Sequence, residues 1–422
     1  MSAQDVKTDT PSAVAPATPP VAPDGSAPAI RSPLLGSIGW STILTTVPIY
    51  VGILIIWIYF DTQTAGHFIS SRNLSEMAQE YSYKAVLALG VVLVLLLGEI
   101  DLSLGYLTLL SVCMTAVFSQ SDGMSAGVSI VLSIAICTIL GLLQGLFIAW
   151  VRIPSFVVTL GGFLIFEGFA YHLVQGSTIN VFDPFIGKIG TTYLSSALGW
   201  ILVILAIAAF AGSRLWTNHS RAQAGLPTKP VAQSLLPALG VAIALAIVVA
   251  TLNRYRGVPL PFFLLGLFTL LFWLFAKKTR FGRHIYAVGG NIEASRRAGI
   301  NTTAVRWIVF GISGLMGGVA GIMLVGYTAA ASTTTAGPDL LLDVISIAVI
   351  GGVSLLGGRG SVWAVLLGGL LISSIDSGLN LMATDPNYVY VIKGAILLAA
   401  ILIDTLGKRG GLPAFLRRPA VS

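Results

Sequence analysis

Two carboxylates stand two residues apart in a stretch otherwise built for hydrocarbon. Gly98-Glu99-Ile100-Asp101-Leu102-Ser103-Leu104-Gly105 separates two apolar runs. A charged side chain at the centre of a bilayer costs about 2.5–3.5 kcal/mol on insertion scales, so the pair needs a physical reason. One reason is a discontinuous helix whose opened backbone faces a water-filled pathway, with Glu99, Asp101 and Ser103 offering polar contacts to a passing solute. The other is a tight turn between two spans, with Asp101 capping the second helix. A second interruption runs from Ile350 to Ser361, IGGVSLLGGRGS. It has a similar place between apolar runs and a similar glycine and serine content, a weak hint of two related halves.

Other ionisable residues fall inside apolar runs: Glu167, Asp343, Asp376, Lys393 and Asp404. Asp376 and Asn380 lie one helical turn apart on one face, which makes them further candidates for a polar pathway. Pairing Lys393 with Asp376 or Asp343 would cancel buried charge; a proton relay is the sharper reading of the same residues. Asp343 also stands where it could cap the helix it opens. No G-x-x-x-x-G-K-[ST] loop, no H-E-x-x-H and no paired His/Cys spacing occurs. The sequence therefore offers no catalytic centre and calls for no metal or cofactor.

One substantial polar loop, 277–306, reads KKTRFGRHIYAVGGNIEASRRAGINTTAVR. Asn291 can N-cap a short helix, with Glu293 in its first turn, Arg297 in its last and Gly299 at the left-handed stop. Such a helix is marginal alone. It is either a docking element for a cytoplasmic partner, presenting Asn291, Glu293, Ala294, Arg297 and Gly299, or an ordinary basic loop that happens to be capped.

The elements that must position these residues follow from composition. The chain is 55% hydrophobic and 10% charged, where soluble domains carry about 25% charged residues. An all-α polytopic membrane protein is the reading. About 20 apolar residues cross the hydrocarbon. Runs near 42–60, 84–98, 102–119, 125–151, 154–173, 193–212, 233–252, 259–276, 306–328, 343–357, 361–381 and 388–406 give about twelve spans, within a range of ten to twelve. With both termini inside, eighteen of the 24 Lys and Arg fall in inner segments and five in outer ones, Lys393 lying within a run. The net charge of +7 is thus a matter of membrane orientation, not of nucleic acid.

Residues 1–41 hold seven prolines and six alanines between Pro11 and Pro33 and are expected to be a disordered cytoplasmic tail. The permease domain is expected over 42–406, and 407–422 as a C-terminal tail. Cys113 and Cys137 read as small core residues. Gly314 with Gly318 and Gly317 with Gly321 are small-xxx-small pairs, suited to close helix packing within the subunit or to a dimer seam.

Taken together, GEIDLSLG (98–105), IPSFVVTLGGFLIFEG (153–168), TRFGRHIYAVGGNIEASRRAGIN (279–301), DVISIAVIGGVSLLGGRGSV (343–362) and IKGAILLAAILID (392–404) resemble the permease subunits of bacterial ATP-binding-cassette importers for monosaccharides, the ribose and xylose type. Glu99 before Ile-Asp, the segment LNRYRGVPLP (252–261) and SIDSGLNLM (374–382) are similar to the xylose type. The resemblance implies a multi-pass protein of the bacterial inner membrane that is not itself an enzyme. It implies cytoplasmic ATPase subunits docked on the helix around Glu293 to Gly299, a periplasmic sugar-binding protein and a second permease copy, most simply a homodimer. It also moves Glu99 to Gly105 towards a place on the pathway.

Overall fold

A computed structural model describes residues 40–228 and 230–408. The expected tails, apart from 40–41 at one end and 407–408 at the other, lie outside the described residues, as does Lys229. The chain divides into two units, 1–44 and 45–422. Of the first, only 40–44, the opening of the first helix, is described.

Fifteen α-helices occur among the described residues. They are α1 (Trp40–Gln63), α2 (Ser71–Leu96), α3 (Leu104–Ala116), α4 (Ala126–Ala149), α5 (Ser155–Val174), α6 (Pro184–Thr191), α7 (Ser196–Gln223) and α8 (Val231–Asn253). After them come α9 (Leu260–Lys278), α10 (Arg280–Gly290), α11 (Ile292–Arg297), α12 (Thr302–Thr328), α13 (Pro338–Ile350), α14 (Ala364–Leu381) and α15 (Pro386–Lys408). Nine among the described residues are long and apolar enough to cross a membrane: α2, α3 with its π-helical extension Val117–Ser121, α4, α5, α7, α8, α9, α12 and α14.

Two of the expected runs need correction. The run 84–98 is the second half of a helix that starts at Ser71. Ser70 opens it, its hydroxyl accepting from the Asn73 N–H, and the polar stretch SRNLSEMAQEYSYK is helix rather than loop. The run 343–357 is only partly helical. Its helix, α13, covers 338–350 and stops at a glycine-rich turn. Thirteen residues reach about 20 Å at 1.5 Å per residue, short of the roughly 30 Å of hydrocarbon. Asp343 accordingly lies inside α13 and caps nothing.

The core forms around α2, almost wholly buried along its apolar length. A helix apolar on all sides packs neighbours on all sides: α12, α9, α13 and α14 lie against it. The crossing of α12 with α4 depends on glycine. A Cβ at Gly314 would stand 3.0 Å from the Gly141 Cα, and one at Gly318 2.9 Å from the Ile134 Cα. Gly317 and Gly321 face Leu107 and Ser111 of α3. Both small-xxx-small pairs therefore serve packing within the chain, and the dimer seam is excluded for them. Buried Cys137 belongs to the same crossing.

At the end of the bundle away from 279–301, two short antiparallel pairings tie the links together: Ile179–Asn180 (β1) with Ala330–Ala331 (β4), and Tyr193–Leu194 (β2) with Val258–Pro259 (β3). The α7–α8 hairpin is peripheral. It packs on itself and meets the bundle mainly through a small cluster of Ala78, Val203, Val249, Leu252 and Val258.

Candidate functional site

The sequence candidates fall into two places. The first is the end of the bundle that carries 279–301. There α10 and α11 form a helical hairpin; α10 was hidden in what reads as a plain basic loop. Thr279 caps α10, its hydroxyl accepting from the Gly282 N–H at 3.0 Å. Ile285 and Val288 turn inward, and the Tyr286 hydroxyl donates to the Gly360 carbonyl at 3.2 Å. The Asn291 side chain accepts from the Ala294 N–H at 2.9 Å and so caps α11, as its position implies. Gly299 takes φ +81°, the left-handed stop. Glu293, Ala294, Arg296 and Arg297 are exposed, with Glu293 and Arg296 paired at 2.8 Å, while Ser295 is buried beneath them.

The two glycine-rich interruptions meet at this same end. The Gly358 N–H donates to the Leu96 carbonyl at 2.9 Å, across the gap between the end of α2 and the turn after α13. Gly289, at the end of α10, packs into the joint: a Cβ there would collide with the Leu96 carbonyl and stand 2.8 Å from the Gly358 N. Glu99 is paired with Arg306 of α12 at 2.5 Å, each side chain 16% exposed. The α2–α3 link, the α13–α14 turn and the α10–α11–α12 segment are therefore in direct contact. We expect a double-mutant cycle of Glu99→Gln and Arg306→Gln, read by thermal unfolding in detergent, to give a coupling of about 1–2 kcal/mol. Strict additivity of the two variants would show that the contact holds nothing.

Asp101 and Ser103 are buried in a closed polar knot. Asp101 Oδ1 accepts from the Ser103 N–H at 3.0 Å and from the Ser103 hydroxyl at 2.7 Å. Its Oδ2 accepts from the Ser313 hydroxyl at 3.3 Å, and the Gln144 amide donates to Ser103 Oγ at 3.0 Å. A buried carboxylate with three donors is held in place. The knot shapes the turn ahead of α3, but Asp101 does not cap that helix as expected: the N-cap residue is Ser103, with no side-chain cap bond.

The second place lies about 18 Å along α2, twelve residues from Leu96. Lys84 Nζ is 2.6 Å from Asp376 Oδ2, 2.7 Å from Glu80 Oε1 and 3.1 Å from Asp343 Oδ2. Lys393 Nζ is 2.7 Å from Asp376 Oδ1 and 2.9 Å from Asp343 Oδ1. Two lysines thus bridge the same two aspartates, and four helices, α2, α13, α14 and α15, are joined by charge. The pairing of Lys393 with both aspartates is as the sequence suggests. Lys84 and Glu80 were missed, because a polar stretch ahead of a short apolar run reads as an outer loop. The available signal was the Glu80–Lys84 spacing of four, a helical pair.

Asp376 and Asn380 line one cavity of about 200 Å³ together with Glu80, Lys84, Asp339, Thr384, Tyr390 and Lys393. Glu99, Asp101 and Ser103 do not line it, so the five pathway candidates are not one site. Glu167 is separate again, accepting from the Tyr106 hydroxyl at 2.8 Å. The side chain of Asp404 lies outside the described residues. Among the described residues no group of three or more His, Cys, Asp or Glu could hold a metal ion.

The described residues thus combine apolar helices long enough to cross a membrane with a half-length α13 and a capped polar hairpin at one end. The family described as branched-chain amino acid transport system / permease component matches residues 73–401. The chain is 36% identical over 362 residues to the xylose transport system permease protein XylH of Haemophilus influenzae, covering 85% of this chain and 96% of that one. It is 28% identical over 351 residues to the ribose import permease protein RbsC of Escherichia coli K12, covering 83% and 91%. It is 27% identical over 358 residues to the fructose import permease protein FrcC of Rhizobium meliloti, covering 85% and 84%. No solved structure matches the chain. With 329 residues inside the family's match, the chain belongs to the family of transport-system permease components.

Proposed function

We infer that this chain is the multi-pass inner-membrane permease subunit of an ATP-binding-cassette importer, forming the passage for a monosaccharide, with D-xylose as the sugar to test first. The chain is not itself an enzyme; hydrolysis belongs to partner subunits. The observation that carries the reading is the match of 85% of the chain to nearly the whole length of a xylose permease. The geometry supports the division of labour. In an orientation with both termini inside, the α10–α11 hairpin lies in the cytoplasm, where an ATPase subunit would cover the exposed face of α11. The Asp376 cavity then lies towards the periplasm, where a sugar-binding protein would deliver its cargo. Two copies of the chain would enclose the passage as a homodimer.

In this mechanism the ATPase pushes α11. Through Gly289 and the Glu99–Arg306 pair the push reaches α2, α3 and the 351–363 turn together. We expect Gly299→Val and Glu293→Arg to insert normally, since neither touches an apolar helix. Val at φ +81° is strained, and Arg at position 293 reverses the charge at the helix start. Both variants should lose most sugar-stimulated ATP hydrolysis and uptake in proteoliposomes of the assembled complex. Full stimulated turnover with the ATPase still bound would reduce the hairpin to a topology signal.

A proton-coupled secondary transporter is the reading that the buried Asp343, Asp376, Lys84 and Lys393 would favour. Their mutual pairing at 2.6–3.1 Å gives these charges a structural use instead. Uptake that survives a proton uncoupler but stops without the ATPase supports the importer.

A further inference from the structure

The charge cluster does more than tie helices together, because it forms the floor of a cavity whose upper wall carries free polar groups. Asp376 is 4% exposed and lines the cavity; its Oδ1 touches the Lys393 ammonium yet accepts no well-directed hydrogen bond. Four residues on along α14, Asn380 is exposed to the same space, and Thr384 follows in the link to α15. The side chains of Asn380 and Thr384 make no hydrogen bond among the described residues. At the rim the Tyr390 hydroxyl donates to Asp339 Oδ2 at 2.7 Å, so an aromatic ring is held beside the opening. An amide and a hydroxyl, both able to donate and accept, thus sit one to two helical turns above fixed carboxylates and ammonium groups.

Size and charge narrow the ligand. A cavity of about 200 Å³ has room for one small ring. Three carboxylates (Glu80, Asp343 and Asp376) face two lysines (Lys84 and Lys393). Asp343 lies behind the lining; among the lining residues Glu80, Asp376 and Asp339 at the rim against Lys84 and Lys393 leave a balance of one negative charge. Excess carboxylate accepts hydrogen bonds from hydroxyl groups and repels an anion. We propose that this cavity is a binding subsite for one neutral monosaccharide, built into the permease itself, which excludes sugar acids and sugar phosphates by charge. The proposal rests on the reading of the chain as a monosaccharide permease and adds to it a site of selection apart from the periplasmic partner.

The test uses the full chain purified in nanodiscs, without ATPase or sugar-binding protein. Radiolabelled D-xylose is titrated through the millimolar range by equilibrium dialysis, with D-xylonate, its carboxylate counterpart, as competitor. Saturable binding is expected, with xylonate competing at least tenfold more weakly than unlabelled xylose. Asn380→Ala combined with Thr384→Val leaves every ion pair of the cluster in place. It should weaken xylose binding about tenfold, a change equivalent to 1.4 kcal/mol, at unchanged thermal unfolding. Absence of saturable binding by the unaltered chain overturns the subsite. So does xylonate competing as well as xylose, or an unchanged affinity in the double variant. Uptake by the complete wild-type complex is measured in parallel. If the complex imports xylose while the isolated permease binds none, the subsite fails and the importer reading stands. If the complex imports no monosaccharide, the importer reading fails and the subsite with it.

Discussion

Replacing Lys84 with methionine should abolish uptake and destabilise the protein more than any other single change to the charge cluster. Lys84 is the more buried of the two lysines, its side chain 6% exposed, against 18% for Lys393. Methionine fills similar space but leaves Asp343 Oδ2 and Asp376 Oδ2 with their nearest cation gone. Breaking a buried ion pair by removing one partner costs about 3–5 kcal/mol, since the remaining charge stays desolvated. That is a large share of the roughly 5–15 kcal/mol by which folded domains exceed their unfolded chains. Lys393→Met should be milder, because Lys393 is the more exposed of the two lysines. The measurement is thermal unfolding in detergent alongside uptake in proteoliposomes. A further variant separates holding from transport. Lys84→Met with Asp376→Leu removes opposite charges together, and replacing a buried pair by apolar groups is often neutral for stability. It should regain most of the lost stability while remaining inactive if the cavity floor takes part in passage. Unfolding and uptake both at wild-type level in Lys84→Met would show that the cluster holds nothing.

The cluster also shows what a single sequence does and does not disclose. Asp376, Lys393 and Asp343 stood out because charge inside an apolar run is expensive and must be explained. Lys84 did not, because the first half of α2 is polar enough to pass for a loop. Its burial comes from α13, α14 and α15 closing over it, and those contacts are more than 250 residues away in sequence. The cap at Asn291 and the stop at Gly299 were legible because caps are local, set by a residue and its near neighbours. α10 was not, although Thr279 caps it, because Lys, Arg and His spread through its sequence obscure the inward positions Ile285 and Val288. For GEIDLSLG the residues allowed both a pathway and a turn. The closure of Asp101 by Ser313 and of Ser103 by Gln144 rests on partners far away in sequence, which the residues do not disclose. The half-length α13 was misjudged because hydrophobicity continues through Val353, Leu355 and Leu356 after the helix has ended at Gly351.

The glycine-rich turns share a function that neither discloses alone, and Gly289 is where it can be tested. α10 ends on the Leu96 carbonyl and the Gly358 N–H, with no room for a side chain at 289. Its neighbour Gly290 has open space at the corresponding position, and neither glycine has a positive φ. Alanine is thus conformationally acceptable at both, and the two substitutions differ only in what the added methyl meets. Overpacking a tight backbone contact costs about 1–3 kcal/mol, and here the only relief is for α10 to lift away from α2 and the 351–363 turn. α11 rides on α10 through the capped turn at Asn291, so its exposed face stays intact while its attachment to the broken helices loosens. Gly289→Ala should therefore keep the ATPase bound and hydrolysing, yet reduce sugar uptake roughly tenfold or more, about the effect of 1.4 kcal/mol. Gly290→Ala should leave both near wild type. Hydrolysis without uptake is the signature of a broken linkage, whereas loss of both together would place the fault at docking. Equal uptake in the two variants would mean that motion does not pass through this joint, and the Glu99–Arg306 pair at 2.5 Å would be left as the remaining rigid link between the hairpin segment and the α2–α3 turn.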